Sequence, residues 1–142
     1  MRRVLWLRLH GFMLAAAALV TPMPALGVST TVVISEFRTH GPNGANDELI
    51  ELYNLSSSAV GIGGWKVKGS SNAGSVSTRA TITAGATLGA GCHYLLTNTA
   101  TSGYSGAVAG DQSYSVGISD DGGIAVTLAD DTVVDQVGMS SG

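Results

Sequence analysis

The stretch NDELIELYNLSSSAVGIGGWKVKG, residues 46–69, constrains the fold of this chain more than any other part of it. Apolar and polar residues alternate along residues 48–54, a serine run interrupts the pattern, and alternation resumes after two glycines. A period of two is typical of a β-strand with one buried face. We therefore predict a strand over residues 48–54 whose inward phase holds Ile50 and Leu52, with Asn54 in the same phase.

The second half of this stretch predicts a turn followed by a strand, because two glycines precede a tryptophan. Gly63 and Gly64 give the backbone the freedom to turn and to approach a neighbouring segment closely. In a strand over residues 61–69, Trp65 shares a face with Val67, and the two lysines lie on the other face. A large ring buries the most area between two sheets, so we predict that Trp65 is a core residue. The alternative is an exposed, ligand-stacking tryptophan of the kind found in carbohydrate-binding modules.

The rest of the chain repeats this pattern of short β-rich runs separated by turn-forming residues. The runs cover residues 31–37, 79–83, 92–98, 124–129 and 132–138. The 20 glycines and the 12% share of charged residues suit many short strands joined by tight turns. We therefore predict an all-β fold, either a sandwich or a barrel.

The first 27 residues have the three-part layout of a secretory signal peptide. Arg2, Arg3 and Arg8 make a basic start, GFMLAAAALV is an apolar stretch, and TPMPALG ends it with prolines and small residues. A membrane-spanning helix needs about 20 apolar residues, so a membrane anchor is the weaker interpretation. We predict cleavage after Gly27, export of the chain, and a mature domain of residues 28–142.

The charge of the mature part argues against two classes of partner. The whole chain carries a formal charge of −3, and removal of the three arginines of residues 1–27 leaves −6 on residues 28–142. The basic residues that remain are scattered along the chain; they are Arg38, Lys66, Lys68 and Arg79. Binding to nucleic acid through phosphate neutralisation is therefore disfavoured, as is docking to an anionic membrane surface. We expect no nucleic acid partner and no membrane anchor after signal cleavage.

The residue types that usually carry catalysis are sparse and form no recognisable set. The mature chain has two histidines, His40 and His93, in unrelated contexts, and it lacks a metal-ligand spacing such as H-E-x-x-H. Its serines lack the G-x-S-x-G pattern of a nucleophile elbow. We predict no catalytic, cofactor-binding or metal-binding residues, no cofactor, and hence no enzymatic activity.

The single cysteine, Cys92, cannot form an internal disulfide. We predict that it is a small buried residue at the start of the strand CHYLLTN. The alternative is an intermolecular bridge or a reactive thiol. The neighbouring His93 gives that alternative no support, because it would point to the opposite face of the strand.

Four acidic residues gather in and beside the first two strands. Asp47, Glu48 and Glu51 most simply form a solvated strand edge, and pairing of the two strands would bring Glu36 close to them. A carboxylate cluster of this kind supplies the hard oxygen ligands that Ca²⁺ prefers. The D-x-D-x-D spacing of a dedicated calcium loop is absent, so we predict the solvated edge and keep calcium binding as the alternative.

The order of these pieces resembles the lamin tail domain family in its bacterial exported form. The first part of the resemblance consists of VVISEF, a Gly/Pro/Asn loop, and NDELIELYNLSSSAVGIGGWKV. The later part consists of LGAGCHYLLT followed by GGIAVTLADDTVVDQV. Each piece is short, but the ordered set covers about residues 31–138. The resemblance implies an immunoglobulin-like β-sandwich.

The resemblance and the missing catalytic set favour an exported, non-catalytic interaction or structural module at the cell surface or outside the cell, with an unknown protein or cell-surface partner. A second hypothesis is an accessory domain of a larger exported hydrolase or nuclease, because bacterial members of this family are often attached to such enzymes. A third is a carbohydrate-binding sandwich, although the mature aromatic residues are not regularly spaced. The chain ends at DQVGMSSG directly after a strand, whereas members of the family usually continue, so we also expect a domain truncated at its C-terminus.

Overall fold

The computed structural model describes residues 29–138, and every regular element in that range is a β-strand. The strands are β1 (Val32–Arg38), β2 (Leu49–Asn54), β3 (Val60–Gly61), β4 (Lys66–Ser70), β5 (Val76–Thr81), β6 (Thr87–Leu88), β7 (His93–Asn98), β8 (Gln112–Tyr114), β9 (Gly123–Thr127) and β10 (Val133–Gly138). The predicted signal peptide, residues 1–27, and its cleavage position lie outside the described residues. Residues 29–138 contain no helix that is long and apolar enough to cross a membrane.

Two four-stranded sheets face each other, with strand orders β1-β2-β7-β8 and β10-β9-β4-β5, and a short ribbon pairs β3 with β6. Among the described strands, β7 and β8 are parallel and the other pairs are antiparallel. The buried apolar core between the sheets consists of Val32, Ile50, Leu52, Ile62, Val67, Ala80, Ile82, Leu88, Leu96, Tyr114, Ile118, Ile124 and Val126. This arrangement confirms the predicted all-β, immunoglobulin-like β-sandwich.

The observed phase of β2 is the one that alternation predicts. Ile50, Leu52 and Asn54 are all 0% exposed, whereas Glu51 and Tyr53 are half-buried on the outer face. The same alternation continues into β7, because Ile50 pairs with a core leucine of that strand. The register of β2 in the sheet therefore follows from its hydrophobic pattern.

The single strand predicted over residues 61–69 is divided by a turn into β3 and β4. Gly64 has a φ of 82°, which residues with a side chain rarely adopt. The Trp65 N–H closes the turn by donating to the Ile62 carbonyl at 3.1 Å. Trp65 packs against the core but is only half-buried and precedes β4, whereas Val67 is 1% exposed. The prediction of a core tryptophan is therefore confirmed in part.

Single side chains bridge the two sheets at both edges of the sandwich. Where β1 lies beside β10, the Asp135 carboxylate accepts a hydrogen bond from the Ile34 N–H at 2.8 Å. Where β8 lies beside β5, the Gln112 amide donates to the Thr81 carbonyl at 2.9 Å and accepts from the Thr83 N–H at 3.0 Å. These bonds satisfy backbone groups that the sheet ladders leave open.

Candidate functional site

Asp47 and Glu48, the acidic pair just before β2, are buried, with 0% and 2% of their surface exposed. Glu51 is half-buried on the outer face of β2, and Glu36 is exposed on β1. The prediction of a solvated strand edge is therefore wrong for Asp47 and Glu48. Buried carboxylates are tolerated only when hydrogen bonds or opposite charges satisfy them, and both residues have such partners.

Asp47 holds two loops against the end of β1. Its carboxylate accepts hydrogen bonds from the N–H groups of Asn43 at 3.0 Å and Ser105 at 2.9 Å, and from the Ser105 hydroxyl at 2.6 Å. It also forms an ion pair with Arg38. Burial by itself raises the pKa of Asp47, but the hydrogen bonds and the Arg38 charge outweigh it and lower the pKa to about 2.

Glu48 joins β2 to three other segments. One carboxylate oxygen accepts hydrogen bonds from the Asn98 amide at 2.8 Å and the Tyr114 hydroxyl at 3.2 Å. The other oxygen accepts from the Ile118 N–H at 3.0 Å. Burial, together with the nearby Glu48 charge, raises the pKa of Tyr114 well above its usual range, so the phenol stays protonated and remains a donor. Glu48 thereby fixes β7, β8 and the loop that follows β8.

Asn54 has the same kind of role at the other end of β2. Its side-chain amide donates to the carbonyls of Ser58 and Leu88, each at 2.9 Å. Its side-chain oxygen accepts from the Ser56 N–H at 2.9 Å. The segment DELIELYN thus carries buried polar groups at both ends and apolar residues between them. The buried polar side chains of this segment, Asp47, Glu48 and Asn54, therefore stabilise the fold.

The acidic residues of the calcium hypothesis do not converge on one point. Glu36 and Glu51 are paired across β1 and β2, whereas Asp47 and Glu48 each receive several protein donors elsewhere. Within residues 29–138, no three or more His, Cys, Asp or Glu groups are placed to hold a metal ion together. The buried carboxylate oxygens therefore serve loop N–H groups and side-chain donors of the protein itself.

Each of the two histidines within residues 29–138 contacts one carboxylate at the surface. His93 Nδ1 lies 2.8 Å from Glu51 Oε1, and the Ser35 hydroxyl donates to the same oxygen at 2.7 Å. The carboxylate therefore stands between the hydroxyl and the imidazole, whereas a Ser-His-Asp triad needs the imidazole between the other two. His40 Nδ1 lies 2.8 Å from Asp120 Oδ1, with both side chains 54% exposed. Neither histidine is placed to activate a nucleophile among these contacts.

A groove of about 590 Å³ crosses the outer face of the sheet β10-β9-β4-β5. Its floor includes Gly123, which has no side chain, and Ala125, which has only a methyl group; both belong to β9. Val76 of β5 and Val133 of β10 line opposite sides and are 62% and 49% exposed. Exposed apolar residues that flank a concave surface are typical of interaction sites.

A compact charged cluster closes one end of this groove. The ammonium groups of Lys66 and Lys68 each lie 2.8 Å from the Asp131 carboxylate. Asp131 lies in the turn between β9 and β10 with a φ of 73°. Hydrogen bonds from the two lysines lower the pKa of Asp131. This cluster ties the turn to β4 and leaves one more lysine than aspartate at this point.

Two other depressions open at the loop end of the sandwich. One, of about 560 Å³, is lined by His40, Asp120 and Asp121 among others. The other, of about 620 Å³, lies beneath the loop over residues 99–111, which is rich in glycine and alanine. Both are wide and shallow surfaces between loops. The groove differs from them because a continuous sheet forms its floor.

Cys92 is exposed, so the prediction that it is buried is wrong. Strand β7 begins one residue later, and the Cys92 N–H closes a turn by donating to the Gly89 carbonyl at 3.1 Å. The cysteine therefore belongs to the turn before β7. The sequence CHYLLTN does not reveal this, because the period-two pattern gives no sharp strand boundary.

The aromatic residues do not line up on one surface. Tyr114 is buried, and Tyr94 and Trp65 pack against the core. Tyr53 packs against the His93 imidazole on the outer face of β2 with the two rings tilted, and Tyr104 lies under an arginine in the loop region. A carbohydrate platform needs several exposed rings in a row, and the described residues do not provide one.

A family model described as Lamin Tail Domain matches residues 27–141. The match includes all ten strands and the acidic segment before β2. No curated protein matches this chain.

Proposed function

The chain belongs to the lamin tail domain family, and from that membership we propose that it is an exported, non-catalytic interaction module acting at the cell surface or outside the cell. The basic, apolar and small-residue layout of residues 1–27 supports export. The net charge of −6 on the remaining residues directs the proposal toward protein or cell-surface partners instead of nucleic acid.

One observation carries this proposal: the side chains that would otherwise suggest chemistry are occupied in holding the fold together. Asp47 and Glu48 are buried beneath loops that they hydrogen-bond. His93 shares its carboxylate with a serine in the wrong order for nucleophile activation. Among the concave surfaces of the described residues, we choose the groove because its floor is a continuous sheet flanked by exposed valines.

The groove favours a partner with a narrow apolar ridge. The charged residues in its lining are the ion pair of Lys68 and Asp131, and Val76 and Val133 provide apolar contacts on opposite sides. Burying the exposed apolar surface of these residues would contribute about 25 cal/mol per Å² removed from water. An extended protein segment or a surface polymer with small apolar groups fits this description.

The binding surface is tested by filling the groove. Ala125→Tyr places a ring over the groove floor and keeps a side chain that strands accommodate. Ser113→Tyr, at the exposed residue of β8 in the other sheet, is the matched control. We expect labelled wild-type protein and Ser113→Tyr to bind intact producing cells or their isolated envelope, and Ala125→Tyr to lose that binding. Equal binding by all three proteins, or no binding by the wild type, would contradict the proposal.

The non-catalytic part of the proposal is tested separately. We expect no turnover of generic phosphodiester, peptide or glycosidic substrates by the purified protein. Turnover that disappears in His93→Ala or His40→Ala would overturn it. The alternative is an accessory domain of a larger exported hydrolase or nuclease. It requires that the same gene encodes an enzyme domain.

A further inference from the structure

Strand β5 forms one edge of its sheet, and its hydrogen-bonding phase follows from its ladder with β4. Backbone pairs in an antiparallel ladder alternate between bonded and non-bonded. The Ser71 N–H donates to the Ser75 carbonyl at 3.0 Å, which places these two residues in the bonded phase of the ladder. Two residues further along β5, Ser77 is therefore bonded to β4. Val76 and Thr78 consequently direct their N–H and C=O groups away from the sheet.

The other half of the same edge is already covered. The register of β4 and β5 shifts near Arg79, which marks a β-bulge. Beyond it, the outward carbonyl of Thr81 accepts a hydrogen bond from the Gln112 amide at 2.9 Å. This bond agrees with the assigned phase, because Thr81 is outward in the same sense as Thr78. Gln112 thus covers the end of β5, and the beginning of β5 stays open.

The open half itself carries neither a charged residue nor a proline, and the bulge at Arg79 lies just beyond it. Val76, Ser77 and Thr78 are exposed and uncharged, and none is proline. Within residues 29–138, the backbone groups of Val76 and Thr78 have no hydrogen-bond partner outside the β4–β5 ladder. Natural proteins commonly block such edges with lysine, proline or a bulge. The edge is therefore competent to pair with another strand.

We propose that a second copy of this chain pairs with this edge, β5 to β5, antiparallel about a two-fold axis at Ser77. In this register Val76 lies opposite Thr78 of the second copy, and Thr78 lies opposite Val76 of the second copy. Each of these pairs exchanges two backbone hydrogen bonds, so four bonds satisfy all the outward groups of both edges. The two four-stranded sheets would become one continuous sheet.

A second copy fits this edge because its three open residues are exposed and uncharged and can pair with themselves in one register. The two outward residues are separated by two positions, which is the spacing that a two-fold axis through the residue between them requires. The pairing places no like charges opposite each other, and it places Val76, which is 62% exposed, beside Thr78 of the second copy. Three paired residues a side bury little surface, so the association should be weak and concentration-dependent. Each mature copy carries −6, so added salt should strengthen the dimer by screening repulsion.

Amide hydrogen exchange and analytical sedimentation of the full mature protein, residues 28–142, test this proposal together. We expect the mass to rise from one copy toward two with protein concentration. Over the same range, exchange of the Val76 and Thr78 N–H groups should slow by about tenfold, because each gains a partner. The Ser77 N–H should change little, since it already bonds to β4. This alternation along three residues distinguishes strand pairing from nonspecific association.

Two variants keep the test falsifiable. Thr78→Pro removes an outward donor without removing a bond to β4, and Ser77→Lys places two like charges opposite each other at the axis. Both should remain monomeric, whereas Thr78→Val and the groove variant Ala125→Tyr should still dimerise. A monomer at all concentrations, or dimerisation of both edge variants, would overturn the proposal. So would protection of the Val76 and Thr78 N–H groups that occurs only when a strand-forming peptide of another sequence is added. Loss of envelope binding in Ala125→Tyr alone tests the groove, so the two proposals can fail separately.

Discussion

The backbone at Gly63 lies so close to Gly85 that a Cβ added to Gly63 would be 2.5 Å from the Gly85 nitrogen. The contact occurs where the turn before β4 meets the segment before β6. In the same place the Gly63 N–H donates to the Ala86 carbonyl at 3.0 Å. The first glycine of the Gly-Gly-Trp sequence therefore allows two backbone segments to touch, and Gly64 supplies the positive φ.

Replacement of Gly63 by alanine should destabilise the protein by about 1–3 kcal/mol, because the new Cβ meets rigid backbone and forces it to shift. Gly61→Ala is the matched control, since a Cβ at Gly61 has no neighbour within 4 Å. We expect that control to change the free energy of unfolding by no more than about 0.5 kcal/mol. Denaturant unfolding measures both, and equal stability of the two variants would show that the contact at Gly85 relaxes freely.

Trp65→Ala should cost about 2 kcal/mol, less than a fully buried tryptophan, because Trp65 is only half-buried against the core. Ile62→Ala is a useful comparison, since Ile62 is 0% exposed and its truncation should cost about 2–5 kcal/mol. Midpoints of denaturant unfolding give the order of the two effects. A Trp65→Ala protein that is as stable as wild type but loses binding would instead support a ligand-stacking tryptophan.

Stability should fall as the solution is acidified from about pH 4 to pH 2, and Asp47 should account for part of the fall. Its pKa is about 2 in the folded protein, against 3.8 for the unperturbed group. A depressed pKa contributes stability that is present above the unfolded value and lost as pH falls through the folded value. The pKa values of Asp120, Asp130 and Asp131 are also lowered, so they add to the same slope.

Asp47→Asn isolates the share that belongs to Asp47. This variant should be less stable than wild type at pH 7 and should lose less stability between pH 4 and pH 2. Glu36→Gln, at an exposed position, serves as the control for removing one acidic group. Parallel pH profiles for wild type and Asp47→Asn would mean that the buried carboxylate does not depend on its ionised form.

The apolar framework of the sandwich was predictable from local pattern, whereas the buried polar groups were not. Alternation placed Ile50 and Leu52 correctly because each strand must bury one face. The donors that make Asp47 and Glu48 tolerable in the interior, such as Ser105 and Ile118, lie more than 50 residues away along the chain. No local pattern shows that such partners will converge, so the residues resembled an ordinary solvated edge.

Short elements were the other source of error. Strands β3 and β6 have two residues each and β8 has three, too few for a period to be recognised. The parallel pairing of β8 with β7 depends on the long loop between them. Cys92 fell one residue outside its strand, and this single position changed a predicted buried thiol into an exposed one.

Export predicts a specific N-terminus. If residues 1–27 are removed by a signal peptidase, sequencing of the protein recovered outside the cytoplasm should begin at Val28 or within one or two residues of it. Arg8 and His10 interrupt the apolar run that a membrane anchor would need. Recovery of an intact N-terminus at Met1 on a membrane-embedded product would contradict export with cleavage.

The acidic segment before β2 is a structural element of this domain if Glu48 holds loops in place and takes no part in binding or catalysis. Its carboxylate connects β2 to the Asn98 amide, the Tyr114 hydroxyl and the Ile118 N–H. In Glu48→Gln, an amide group with two donors replaces one acceptor oxygen in that cluster. At least one buried donor then loses its partner, at a cost of about 1–3 kcal/mol.

Denaturant unfolding of Glu48→Gln beside Glu36→Gln measures this directly, because Glu36 is exposed on β1 and each variant removes one carboxylate. We expect Glu48→Gln to unfold at clearly lower denaturant, with faster amide exchange at Ile118, and Glu36→Gln to match wild type within about 0.5 kcal/mol. Wild-type stability in Glu48→Gln, combined with loss of envelope binding or of any turnover, would show that Glu48 belongs to a functional site instead of the scaffold.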